Sequence, residues 1–83
     1  MTVIKLVPEI KGCYGPRVWV SAADKDACNI LRVLSIWPNY TDTRNRENGN
    51  ERCYELPFGF IHTGLWHAFL TRMDILVRLD GED

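Results

Sequence analysis

The sequence predicts an α+β domain in which a small, mostly antiparallel sheet carries two helices packed on one face. Three observations predict it. Apolar, β-rich runs stand near both ends of the chain, at residues 2–7, 17–20 and 75–79. Two intervening segments, after Ser21 and from Phe60, repeat apolar residues at helical spacing. The resulting order, β-β-α-(β)-α-β, puts both helices on one side of the sheet.

Thr2 to Val7 reads as a strand stopped by Pro8, and residues 8–16, with Gly12, Gly15 and two prolines, as an irregular connection. Arg17-Val-Trp-Val20 is a second strand, and so short a connection favours antiparallel pairing with the first. Ser21-Ala-Ala-Asp24 resembles a capping box, with the Ser21 hydroxyl taking a free amide and Asp24 near the positive end of the helix dipole. Ala27, Ile30, Leu31 and Leu34 then form the apolar stripe, widened by Val33 and Trp37, and Pro38 ends the helix.

Residues 39–52 contain one aromatic, Tyr40, and no aliphatic side chain, so they read as an exposed polar loop in which Asn48-Gly49 can close a tight hairpin. Cys53 to Leu56 is a short strand. Ile61, Leu65, Phe69 and Met73, flanked by Trp66 and Leu70, define the second helix, which Asp74 closes. Residues 75–79 are read as a strand rather than a helical extension because Ile75 and Val77 are β-branched.

Eighty-three residues make a single domain, spanning 1–83, and exclude a catalytic cleft between two domains. A hydrophobic share of 46 % with 25 % charged residues is that of a folding chain. Ten Lys and Arg against eleven Asp and Glu give a charge of −1, which disfavours direct nucleic-acid binding. No apolar run reaches the roughly 18 residues of a membrane span, so a cytoplasmic protein is expected.

No catalytic chemistry is expected. Cys13, Cys28 and Cys53 are odd in number and lack a C-x-x-C pair, so they read as reduced thiols without a nucleophile motif. His62 and His67, five apart, diverge by about 140° on a helix, too far for one metal ion. No glycine-rich turn opens a helix to cradle phosphate, and no cofactor is expected. The protein is not expected to be an enzyme.

Contact residues are easier to nominate. In the polar loop, Tyr40 serves as anchor while Arg44, Arg46 and Glu47 set specificity for a protein partner, with Arg52 a further contact candidate. Charge reversal at Arg44 and Arg46 is therefore expected to weaken binding and leave the thermal midpoint nearly unchanged. On the strands, a two-residue period places Val3, Lys5, Val7, Trp19, Leu76 and Arg78 on the face without helices. Such an apolar patch, edged by Lys5 and Arg78, is expected to pair with a second copy as a homodimer or with the target.

The segment Val18-Trp-Val-Ser-Ala-Ala-Asp-Lys-Asp-Ala27, followed by Ile30, Ile36, Pro38 and Tyr40, resembles the strand, acid-capped helix and Pro-x-Tyr exit of small phage anti-CRISPR proteins. The similarity is to a type II-C family that binds the HNH nuclease domain of a CRISPR-associated effector. It covers less than a third of the chain and carries over no binding residue. What it implies is a class: a phage-type inhibitor that blocks a host CRISPR effector complex or nuclease by protein–protein contact. A small regulatory or antitoxin-like module is the alternative.

Overall fold

The computed structural model describes residues 1–47 and 49–81. Five strands follow from the sequence: β1 (Thr2–Val7), β2 (Arg17–Ser21), β3 (Asp42–Arg46), β4 (Gly49–Glu55) and β5 (Ile75–Leu79). Helix α1 (Lys25–Leu34) lies between β2 and β3; a 3-10 turn (Phe60–His62) and helix α2 (Gly64–Arg72) lie between β4 and β5. The strands form one sheet in the order β3-β4-β2-β1-β5. Every neighbouring pair is antiparallel except β1 with β5, which is parallel. The fold is the small α+β domain expected, with strand pairings that interleave its two helical crossovers.

Strand parity decides what is buried. Ile4 pairs with Val20 and Val77, and Leu6 with Val18, so these side chains share one face. On that face Ile4, Val18, Val20, Tyr54 and Leu56 meet Ala27, Cys28 and Leu31 of α1 and Trp66 and Phe69 of α2. Each large apolar side chain buried there contributes about 1.5–3 kcal/mol, which offsets much of the ordering entropy of the chain.

Both helices are rotated or trimmed relative to the sequence expectation. In α1 the buried stripe is Ala27, Cys28 and Leu31, while Ile30, Val33 and Trp37 are exposed. The thiol of Cys28 is small enough to lie against the sheet, and that turns Ile30 outward. Ser21 does not cap the helix. It ends β2, its Oγ accepts from the Ala23 amide at 3.2 Å, and the helix begins after Asp24, whose carbonyl accepts from the Cys28 amide at 3.0 Å. The helix also stops before Pro38, at Ser35, because the Ile36 amide leaves to donate to the Glu55 carbonyl at 3.0 Å.

In α2 the stripe runs through Trp66 and Phe69, with Leu70 and Met73 packed behind; Trp66 is 4 % exposed and Leu65, which the four-residue period placed inside, 59 %. Thr63 begins this helix, its hydroxyl accepting from the Trp66 amide at 3.3 Å. Asp74 follows it in a left-handed conformation, φ 52°, and turns the chain into β5.

The largest correction concerns residues 39–52, which are strand over 42–46 and 49–52 and not an exposed loop throughout. Residues 42–46 and 49–55 pair as a hairpin, with Arg44 opposite Glu51 and Arg46 opposite Gly49. Asn48, half of the expected Asn-Gly turn, lies outside the described residues. β4 also pairs with β2 from Arg17–Glu55 to Ser21–Glu51, so it is an interior strand and the hairpin is part of the sheet.

Gly15 shows how tightly this sheet meets its loops. A Cβ there would enter the van der Waals shell of the Leu56 carbonyl oxygen, and the Leu56 amide is tied to the Pro16 carbonyl at 2.8 Å. Gly15→Ala is expected to cost about 1–3 kcal/mol in urea denaturation. Gly64→Ala, in open space at the start of α2, should leave stability equal or slightly higher.

Candidate functional site

The face without helices carries the candidate site. Lys5, Trp19, Cys53 and Asp42 form one cross-strand row there, with Arg78 beside Lys5; Val3 is opposite Leu76, and Arg44 opposite Glu51. The strand registers expected for Val3, Lys5, Val7, Trp19, Leu76 and Arg78 are therefore those observed.

The patch they form is covered at its centre, while Leu76 and Arg78 at its margin stay exposed. The Arg44 guanidinium carbon lies 4.0 Å above the centroid of the Trp19 ring, which is only partly exposed. From there its Nη2 donates to Asp80 Oδ1 at 2.6 Å and its Nε to Glu51 Oε1 at 2.8 Å. Lys5 Nζ stands 3.2 Å from the other Glu51 oxygen, and Arg46 Nε 3.4 Å from Oε1. Four strand spacings separate the sheet edges, about 19 Å if the sheet were flat, beyond the combined reach of Arg44 and Asp80. The sheet must therefore coil until this face is concave.

Two concavities lie on this face. The first, of about 750 Å³, is charged and brings together Val3, Lys5, Arg46, Glu47 and Arg78 with Glu51 and Asp80. Residues nominated separately from the polar segment and from the strand faces thus line one cleft. Arg52 does not join them. It is opposite Val20 and Thr43, on the margin of the helix-covered side, because parity within β4 points it away from Glu51.

The second concavity, of about 470 Å³, lies between Tyr14, Trp37 and Tyr40 over a floor of Arg17, Cys53 and Glu55. The three aromatics are 50 %, 56 % and 64 % exposed. Tyr40 donates its hydroxyl to Asp42 at 2.6 Å, which raises the phenol's pKa, and the Arg17 guanidinium carbon lies 5.2 Å from the Tyr14 centroid. Sequence reasoning missed Tyr14 and Trp37 as partners of Tyr40. Their common signal was an aromatic beside Gly15 or Pro38, where a turn keeps large side chains at the surface.

The thiols offer little chemistry. Cys28 and Cys53 are buried, and burial pushes the Cys53 thiol up to about 11, so it stays protonated. Cys13 is exposed on the turn before Tyr14. Among the described residues no group of three His, Cys, Asp or Glu side chains is placed to hold a metal ion, and no helix is long and apolar enough to cross a membrane. No protein-family model, curated protein or solved structure matches the chain.

The ionic lattice also has a stability consequence that overturns the expectation for Arg44. Hydrogen bonding to Arg44 holds the Asp80 carboxyl below the ordinary range. Burial pushes Glu51 up, but hydrogen bonds from Arg44 and Lys5 outweigh it and the net shift is downward. Because both folded-state values are depressed, their contribution is complete above the unfolded carboxylate range near about 4 and is lost as pH falls through the lowered values. Arg44→Met is expected to cost about 1–3 kcal/mol at pH 7, measured by urea denaturation. Asp80→Asn should flatten the acid limb of stability against pH.

Proposed function

We propose that this chain is a protein-binding inhibitor of phage type that acts in the host cytoplasm by occupying a surface of a CRISPR-associated effector complex or nuclease. The observation that carries the binding role is the rim of Tyr14, Trp37 and Tyr40, half or more exposed around one pocket. Tryptophan, tyrosine and arginine concentrate the energy of protein interfaces, and an aromatic cluster of this kind is costly to leave in water.

Charge placement supports a protein partner over nucleic acid. Arg44, Arg46 and Lys5 are each paired with Glu51 or Asp80, so engaging phosphates would first require breaking those pairs. All three stand on paired strands, Lys5 on β1 and the two arginines on β3, so binding costs less entropy than ordering a loop would. The choice of a CRISPR effector as partner rests on the resemblance of residues 18–40 to anti-CRISPR proteins.

Co-purification with purified effector complexes, read together with target-DNA cleavage, tests the proposal. Binding that suppresses cleavage is expected; absence of both overturns the effector assignment. Trp37→Ala and Tyr40→Ala should each weaken the interaction by about 2 kcal/mol or more, roughly 30-fold, with the unfolding midpoint nearly unchanged because both side chains are exposed.

A further inference from the structure

The two edges of the sheet are protected unequally. β3, at one edge, reads Asp-Thr-Arg-Asn-Arg, the charged composition that keeps an edge from recruiting other strands. β5, at the other, reads Ile-Leu-Val-Arg-Leu, with a single charge and no proline or glycine. Among the described residues its only strand neighbour is β1.

Hydrogen-bond parity shows which groups that edge presents. The Asp80 amide donates to the Leu6 carbonyl at 2.8 Å, so the even-numbered residues direct their backbone groups toward β1. Ile75, Val77 and Leu79 therefore direct theirs outward, as a row of donors and acceptors without a backbone partner among the described residues, beside exposed Leu76 and Leu79 side chains.

We infer that this edge pairs with β5 of a second copy, antiparallel about a two-fold axis at Leu76, joining two sheets into one. Charge complementarity selects both the occupant and the register. With the axis at Leu76, Ile75 of each copy lies opposite Val77 of the other, and Asp74, in the turn that enters the strand, comes beside Arg78 of the other. Asp74 and Arg78 are both exposed and have no ion pair among the described residues, so each copy brings what the other needs. Centring the pair on Val77 would instead set Asp74 against Asp80, a like-charge pairing that costs energy. The isologous arrangement repeats every contact twice and closes on itself. The strand edge is thus the self-association surface, while the coiled face stays free.

Sedimentation velocity of the full chain over a concentration series tests this. A reversible dimer is expected, and a species that remains monomeric at about 0.2 mM overturns the inference. Val77→Pro removes an outward amide and also trims a side chain packed against the core, so circular dichroism is read first, and the variant that remains folded should be a monomer. A folded Val77→Pro variant that still dimerises also overturns it. If that variant unfolds, Leu76→Lys, at the exposed axis position where the two copies would set like charges side by side, decides in the same way. Arg78→Asp should weaken dimerisation at least tenfold, and mixing it with Asp74→Arg should restore association, because only the mixed pair sets opposite charges across the axis. Failure of the mixture to associate overturns the Leu76 register.

Discussion

Arg44 couples three parts of the fold that the chain keeps far apart. Its guanidinium rests on Trp19 from the middle of the sheet, shares Glu51 with Lys5, and grips Asp80, 36 residues further along the chain. Guanidinium suits this position because its flat face stacks while its edge donates in two directions, which an ammonium cannot do. The groups are mostly shielded from solvent, so the attraction is less screened than in a surface ion pair. With this contact in place the sheet cannot flatten, and its curvature shapes the charged concavity.

The division of labour between the two faces follows. On the helix side, parity and burial do the work: β-branched and aliphatic side chains from β1, β2 and β5 meet one stripe from each helix. On the other side polar contacts hold the sheet, and Trp19 is covered by Arg44 from the same sheet. Cys53 is buried there without belonging to the main core. A face built this way keeps its charged groups fixed in orientation, which favours recognition by complementarity over adaptation to many partners.

How much of this could be read in advance depends on whether the stabilising contacts are local. β1, β2 and β5 were legible because burial of one face imprints apolar residues at alternate positions. α2 was legible because Trp66, Phe69, Leu70 and Met73 recur at helical spacing, although the four-residue period misplaced Leu65. β3 left no such imprint. Asp42 to Arg46 buries no apolar face, and its place in the sheet rests on pairing with β4 and on Asp80, so propensity and periodicity could only describe it as polar. The signal that was present, Arg44 and Glu51 set on either side of Asn48-Gly49, is a charge pattern and not a hydropathy pattern. The same blindness separated the candidate contact residues into two sets, since only the coiling of the sheet brings Arg46 and Glu47 to Lys5 and Arg78. In α1 the face was misjudged by one position because a buried cysteine counts as apolar in packing yet reads as ambiguous in sequence.

The placement of the three thiols has a practical consequence. Two are enclosed, one of them held protonated well above neutral pH, while Cys13 alone is open to solvent, one residue before an aromatic of the rim. A thiol-reactive fluorophore offered to the folded chain therefore attaches at a single point, without any engineered residue, at the margin of the pocket bounded by Tyr14, Trp37 and Tyr40. Emission from that dye reads occupancy of the pocket directly, and the molecule carries its own labelling handle where a bound partner would be felt.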